Sequence, residues 1–523
     1  MTDLDETQAA VRDWIVVRSL AIGAAVVAGL CTFPSAEIWD LGGKPFHPFW
    51  TLVLVACVAL LMPAIERGYE RKFTRADETW PWSMWPAWLR AVGAIAVIAL
   101  LGGGFFALSS DENYGDAERV VHFVSRGAWF HKRAPLSMAS FQLAHQFLDD
   151  PRACVQLVSS LAGGLAVLAV ANFAGLLAPG RRALQVALSL AILTTGTVVL
   201  FFGHVEHYAL PASLAMTFIY LGTKSILRDE SMVPAAIAAS LAAAVHLSML
   251  TIMPALTYLC WVRCIRGRTW SAAISRTAVI AAITLIPAAL LYFGMQEVGY
   301  LRAGERGFGG GDGRMFVPLT KLTGRAHYLF LRPDHLLAIA NEQLLTAPMA
   351  LFSCCVLGIG LWIKVAGNGE RGAPFSSASD TRLARIFVAL VASGFFALTV
   401  IWNPDLGALR DWNLFASAGI LLSMLAVYLM SERWTNQPAR IFACAVLIIA
   451  VNLHRTVPWL YHNLVSVAVP TPRATGVSLS HEFEPLALNG NTHEPVDNLV
   501  QARAESSPSS APSPARAAAR LPR

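Results

Sequence analysis

Several short constellations in this sequence combine groups that could do chemistry. Asp111 and Glu112 stand side by side directly after an apolar run, and Tyr114 follows two residues on. A carboxylate held where water thins out loses part of its hydration, which raises its basicity and suits it to take a proton from a hydroxyl. Gly203-His-Val-Glu-His-Tyr-Ala-Leu-Pro211 crowds His204, Glu206 and His207 into a few residues. Imidazole and carboxylate suit a divalent metal such as Zn²⁺ or Mn²⁺, although the further ligands would have to come from elsewhere in the chain. A plain polar turn among lipid headgroups is the other reading. His246 stands alone in an alanine-rich run before Leu247 and Ser248, a setting in which histidine commonly bonds a backbone carbonyl. Arg410 either pairs locally with Asp405 or Asp411 or clamps a phosphate through two parallel hydrogen bonds. Arg306-Gly-Phe-Gly-Gly-Gly-Asp-Gly-Arg314 is too glycine-rich to hold one conformation alone, and no Gly-Lys-Ser/Thr closes it as a phosphate loop.

The elements that must position these residues are membrane spans. The chain has 523 residues, 55% hydrophobic and only 14% charged, with a mean hydropathy of +0.52. Soluble domains carry roughly 25% charged residues, so too little charge is present here to cover a water-facing surface. Apolar runs recur at Trp14–Phe33, Phe49–Ile65, Leu89–Leu108, Cys154–Leu177, Leu184–Phe202 and Tyr208–Leu227. They continue at Val233–Val245, Met249–Trp261, Ala272–Gly294, Thr346–Val365, Ile386–Trp402, Asn413–Met430 and Ile441–Leu453. The expected fold is an all-α polytopic membrane protein with about 13 transmembrane helices and interfacial helices in two large outer loops, 109–153 and 296–345.

Lys and Arg gather in alternate short loops, among them Arg67 to Arg75, Arg181 and Arg182, Lys224 and Arg228, Arg263 to Arg268, and Arg433 and Arg440. The short loops opposite hold only Lys44 and Arg410. This alternation survives only if the chain breaks at His246–Ser248. It places the basic loops and the N-terminus in the cytoplasm and the constellations above outside, as expected for a bacterial inner-membrane protein.

The acidic start and the lack of a small-residue cleavage site predict a retained first span. The net charge of +6 is spread over loops and gives no support to nucleic-acid binding. All eight cysteines lie in or beside apolar runs without CxxC spacing, so neither structural disulfides nor a cysteine metal site is expected. The organisation read from composition is an N-terminal segment with an extra hairpin and basic loop (1–88), a transmembrane core (89–462), and a disordered Pro/Ser/Ala/Arg-rich tail (463–523).

The stretches Asp111-Glu-Asn-Tyr-Gly-Asp-Ala, Gly127-Ala-Trp-Phe-His and Ala134-Pro-Leu resemble the first outer loop of the GT-C superfamily of lipid-dependent membrane glycosyltransferases. The likeness is to the protein mannosyltransferase and aminoarabinose transferase branch, where an acidic pair, an aromatic-glycine step, a Gly-x-aromatic segment and a Pro-Pro-Leu motif follow one another. This chain has Arg133-Ala-Pro-Leu in place of His-Pro-Pro-Leu and carries one hairpin, Trp14–Ile65, ahead of the family core.

The resemblance implies transfer of a sugar from a polyprenyl-phosphate donor to a glycan, lipid or protein acceptor among the membrane lipids. It makes Asp111 or Glu112 the base and gives Glu206 the task of positioning acceptor or donor. Tyr114, His204 and His207 would then line the substrate, and His246 and Arg410 would hold the phosphate. No cofactor is implied, a divalent metal being the less favoured alternative. Two other readings of the same layout are a transporter or flippase with a proton relay, and an envelope polysaccharide polymerase or ligase.

Overall fold

The computed structural model describes residues 3–32, 48–73, 86–109, 116–131, 133–266, 316–319, 328–367, 379–404 and 411–468, with single positions at 279, 282 and 291. Among these residues the chain is helical almost throughout; beyond helices and turns there is one isolated bridge, Phe316 to Trp402. In chain order the helices are α1 (Asp3–Thr32), α2 (Pro48–Phe73), α3 (Ala87–Ala107), α4 (Ala117–Ser125) and α5 (Pro135–His145). There follow α6 (Pro151–Leu177), α7 (Arg182–Leu193), α8 (Ala209–Leu227), α9 (Val233–Val245) and α10 (Met253–Arg266). The last five are α11 (Pro333–Thr346), α12 (Ala350–Gly367), α13 (Asp380–Ile401), α14 (Trp412–Arg433) and α15 (Pro438–Ala468). Two 3-10 turns, Gly196–Phe201 and Leu247–Ile252, extend α7 and precede α10.

The chain is a polytopic membrane protein, with eight described helices long and apolar enough to cross a bilayer, or nine if the bent pair α11–α12 counts as one span. That is fewer than the expected thirteen, for identifiable reasons. Helices α7 and α9 are apolar but have only 12 and 13 residues, reaching about 20 Å against a hydrocarbon core of about 30 Å. The last two turns of α2 carry Glu66, Arg67, Glu70, Arg71 and Lys72. The run Ala272–Gly294 lies almost entirely outside the described residues.

The expected span Leu184–Phe202 is broken. Its second half contains Thr194, Thr195, Gly196 and Thr197, and the threonine hydroxyls donate to the carbonyls of Leu190, Ile192 and Ala416. Hydroxyls that satisfy carbonyls locally offer the backbone an alternative to the helical ladder, and the run continues as a 3-10 turn.

The break read at His246 is present, and its cause is visible. His246 takes an extended backbone (φ −153°, ψ 135°) and its ring accepts from the Ser248 N–H, capping the turn that follows. Helix α15 continues to Ala468, past the composition boundary at 463; the rest of the tail, 469–523, lies outside the described residues. Helix α14 forms the centre, with 94% of its most apolar stretch buried. By contrast α3 turns Ile95 (67% exposed) and Leu100 (77% exposed) outward, as a lipid-facing helix does.

Candidate active site

The turn between Gly203 and Tyr208 stands where four helix ends meet. It follows the Gly196–Phe201 turn and leads into α8, while α4 and α14 approach it with their first residues. Gly203 adopts φ +70°, and a Cβ there would collide with the side chain of Ser109. Only glycine meets both conditions without strain. The turn is therefore pressed against the end of α3.

Glu206 is buried (3% exposed) and accepts a hydrogen bond from the backbone N–H of Asp116, the residue preceding α4. Asn413, in the first turn of α14, also bonds its carboxyl. Burial, reinforced by the nearby carboxylates of Asp116 and Asp411, pushes the Glu206 carboxyl well above the usual carboxylate range. That shift favours the protonated carboxyl, the form that can donate a hydrogen bond as well as accept one.

Asn413 also fixes His204. The Leu414 N–H donates to Asn413 Oδ1 (2.9 Å), which turns Nδ2 toward His204 Nε2 at 3.0 Å. An amide N–H needs an acceptor, so Nε2 is the bare nitrogen of a neutral ring. Burial lowers the His204 pKa to about 4, in agreement with a neutral ring. Ser159 donates to the His204 carbonyl (2.7 Å), and the indole of Trp412 lies 5.5 Å from its ring.

His207 points elsewhere, stacked between His131 (5.4 Å, 7°) and Phe141 (5.4 Å, 24°). Burial lowers its pKa well below the usual imidazole range, with His131, His246 and Arg119 adding to the effect. His246 meets Tyr208 edge to face at 5.2 Å. Its Nδ1 accepts from the Ser248 N–H (3.2 Å) and lies 2.7 Å from the Ser248 hydroxyl, leaving the proton on Nε2. Burial lowers its pKa to about 3, so it offers an N–H donor rather than a charge.

The cation on this side is Arg133, whose carbonyl accepts from Leu247 N–H (2.8 Å) and whose charge acts on both Tyr208 and His246. The phenol of Tyr208 is held well above its ordinary range by burial and by Glu206, Asp411 and Asp116, with Arg133 opposing.

Glu206, His204, His207 and His246 thus surround one turn. Asp111, Glu112, Tyr114 and Arg410 lie outside the described residues. Their described flanks converge on the same place: Ser109 abuts Gly203, Asp116 binds Glu206, and Asp411 acts on Glu206 and Tyr208.

His204, Glu206 and His207 diverge to Asn413, Asp116 and His131, and among the described residues no group of three or more His, Cys, Asp or Glu could hold an ion. Asn413 and Asp116 carry no functional signal in the sequence reading, because one opens an apolar run and the other follows the acidic pair. Arg133 stands out there only as a departure from a motif.

The carboxyl groups of Glu206, Asp116 and Asp411 act on Tyr208 together with Arg133, and the N–H-donating His246 meets the same ring edge to face. Such a site can hold an anion at Arg133 and His246 and orient a hydroxyl group at the carboxyl groups.

No protein-family description and no curated relative matches the sequence. Among solved structures the chain is similar to ArnT from Cupriavidus metallidurans bound to undecaprenyl phosphate, at 13% identity and a TM-score of 0.45, covering 73% of this chain and 78% of that chain. It is also similar to ArnT from Cupriavidus metallidurans in the apo state, at 13% identity and a TM-score of 0.41 over the same shares.

Proposed function

We propose that the protein is a membrane glycosyltransferase that takes a sugar from a polyprenyl-phosphate donor at the outer leaflet. The observation that supports this best is the meeting of carboxyl groups, Arg133 and the N–H-donating His246 around the buried Glu206 turn. The donor phosphate binds at Arg133 and the Nε2–H of His246, with Arg410 as a further cation. Asp111 or Glu112 removes the proton from an acceptor hydroxyl, whose oxygen attacks the anomeric carbon. The bond from that carbon to the phosphate oxygen breaks with inversion, and the polyprenyl phosphate leaves already charged, so it needs electrostatic stabilisation rather than a proton. Protonated Glu206 orients the acceptor by donating a hydrogen bond, and Asn413 holds Glu206 and His204 in register.

The test is turnover of undecaprenyl-phosphate-linked hexoses and pentoses by the purified protein and by the Asp111→Asn and Glu112→Gln variants. Loss of the base should cut turnover by about 10²–10⁴-fold while binding of undecaprenyl phosphate is retained. Full activity in both variants would overturn the assignment of the base.

A transporter remains the second reading because of three breaks in apolar segments: at Thr194–Thr195, at His246, and at the 95° bend between α11 and α12. Broken helices lining a central site are a transporter device. That reading predicts that cysteines placed beside Glu206 react with impermeant thiol reagents from both sides of the membrane. The glycosyltransferase reading predicts reaction from one side only.

A further inference from the structure

Glu342 and Gln343 are the most conspicuous polar groups outside the site just described. They are 1% and 5% exposed, near the end of α11. Both carboxylate oxygens of Glu342 and both amide atoms of Gln343 lack a hydrogen-bond partner among the described residues. Native proteins leave few buried polar atoms unsatisfied, and four at adjacent positions call for an explanation.

Their place in the fold connects them to Glu206. On α14, Asn413, Ala416 and Gly419 lie at intervals of three residues and share one face. Asn413 holds His204, the Ala416 carbonyl accepts from Thr197 (2.8 Å), and Gly419 seats the hydroxyl of Thr346. Thr197 also donates to the Thr346 carbonyl (3.4 Å). Gly196, beside it, has no room for a Cβ against the carbonyl of Leu345. The end of α11 thus packs against the turn that leads to His204 and against the helix that carries Asn413. Glu342 lies one turn before Thr346 on the same helical face, and Thr346 Oγ1 donates to its carbonyl (2.8 Å).

The chemistry narrows the ligand. An ionised phosphate offers acceptors only and would leave the carbonyl oxygens of both side chains unpaired, and an alkyl chain would leave all four atoms unpaired. A divalent ion needs six or more oxygens in the hard-cation case, and adjacent helical side chains diverge by about 100°. A ring bearing several hydroxyls offers donors to the carboxylate and both donors and acceptors to the amide, spread over the required angle.

We propose that Glu342 and Gln343 form a hydroxyl-recognition subsite for a sugar ring, either the sugar on the lipid donor or one on a glycan acceptor. This rests on the glycosyltransferase reading above. The four atoms are sealed from solvent in this conformation, so the ring enters by a shift of α11. The three-residue break, Ala347–Pro348–Met349, where α11 meets α12 at 95°, supplies the hinge.

The experiment measures binding to the full chain in nanodiscs and to E342L and Q343L. The probes are undecaprenyl phosphate, undecaprenyl-phosphate-linked hexoses and pentoses, and soluble disaccharides. Both variants should melt at or above the wild-type temperature, since each removes unsatisfied groups. They should bind undecaprenyl phosphate as wild type does. The affinity gained from the sugar should fall at least tenfold. A fall with the lipid-linked probes assigns the subsite to the donor; a fall with disaccharides alone assigns it to the acceptor. Unchanged sugar affinity in both variants, or no sugar affinity in wild type, overturns the subsite. If wild type also fails to bind undecaprenyl phosphate, the glycosyltransferase reading falls with it.

Discussion

Asp13, in the first helix, ion-pairs with Arg433 at 2.8 Å across 420 residues of sequence. The Arg433 side chain is 3% exposed and rests over the ring of Trp434, while Arg440 reaches both Asp13 (3.3 Å) and Glu66 (3.8 Å). One small network therefore joins α1, α2, α14 and α15, and fastens the N-terminal hairpin to the core.

Removing the acid leaves a buried guanidinium without its charge partner, which is costly. Asp13→Ala should destabilise the protein by about 2–3 kcal/mol in chemical unfolding, since Asp13 is partly solvated and the full buried-pair cost of 3–5 kcal/mol does not apply. Adding Arg433→Met should recover part of the loss. Equal stability of wild type and Asp13→Ala would show that the network is not a clamp.

The raised pKa of Glu206 makes stability depend on pH. Burial, with Asp116 and Asp411, raises its folded-state pKa, so the folded protein keeps a proton that the unfolded chain releases above about 4.5. This contribution is complete below the unfolded value and is lost as pH rises through the raised folded value. Glu206→Gln mimics the protonated form at every pH. The stability of wild type relative to Glu206→Gln should therefore decline from pH 5 to pH 9, read as the difference between their melting temperatures. A constant difference over that range would mean that Glu206 is ionised in the folded protein.

In the proposed function Arg133 holds the donor phosphate, acting beside Tyr208 and His246 from a backbone anchored by Leu247. A charge-assisted hydrogen bond is worth about 1.5–3 kcal/mol, so Arg133→Ala should weaken undecaprenyl phosphate binding by about 10- to 100-fold. Arg133→Lys should restore part of it as a point charge. Unaltered affinity in the alanine variant would move the phosphate elsewhere.

Asn413 serves two partners at once, His204 and Glu206. Asn413→Leu, of similar size, leaves both without that bond in a buried setting, at a cost of about 1–3 kcal/mol. Thermal unfolding should show the loss, and turnover should fall more steeply than binding of undecaprenyl phosphate. A variant with wild-type turnover would reduce Asn413 to a packing residue.

The sequence made several elements legible where the signal is local. The break at His246 follows from a polar interruption of an alanine-rich run. The run Leu184–Phe202 misleads because hydropathy averages over Thr194–Thr197, while the backbone responds to each hydroxyl separately. Long-range partners leave no such trace. Asn413 reads as the first residue of an apolar span, and Asp13 as one of several acids near the N-terminus. Their roles depend on His204 and Arg433, which only the fold brings to them. The constellation around Glu206 is visible as a dense polar turn, but the divergence of its three side chains toward Asn413, Asp116 and His131 is not.

Helix α14 begins at Asn413's hold on His204 and ends at Arg433's tie to Asp13. Its 22 residues make a rod about 33 Å long. A tilt of about 3° about the Arg433 end would carry Asn413 sideways by about 1.6 Å, more than a hydrogen bond between a fixed amide and a fixed ring tolerates. The hairpin in front of the core therefore works as the foot of a lever: how firmly it is planted sets how accurately the opposite end aims.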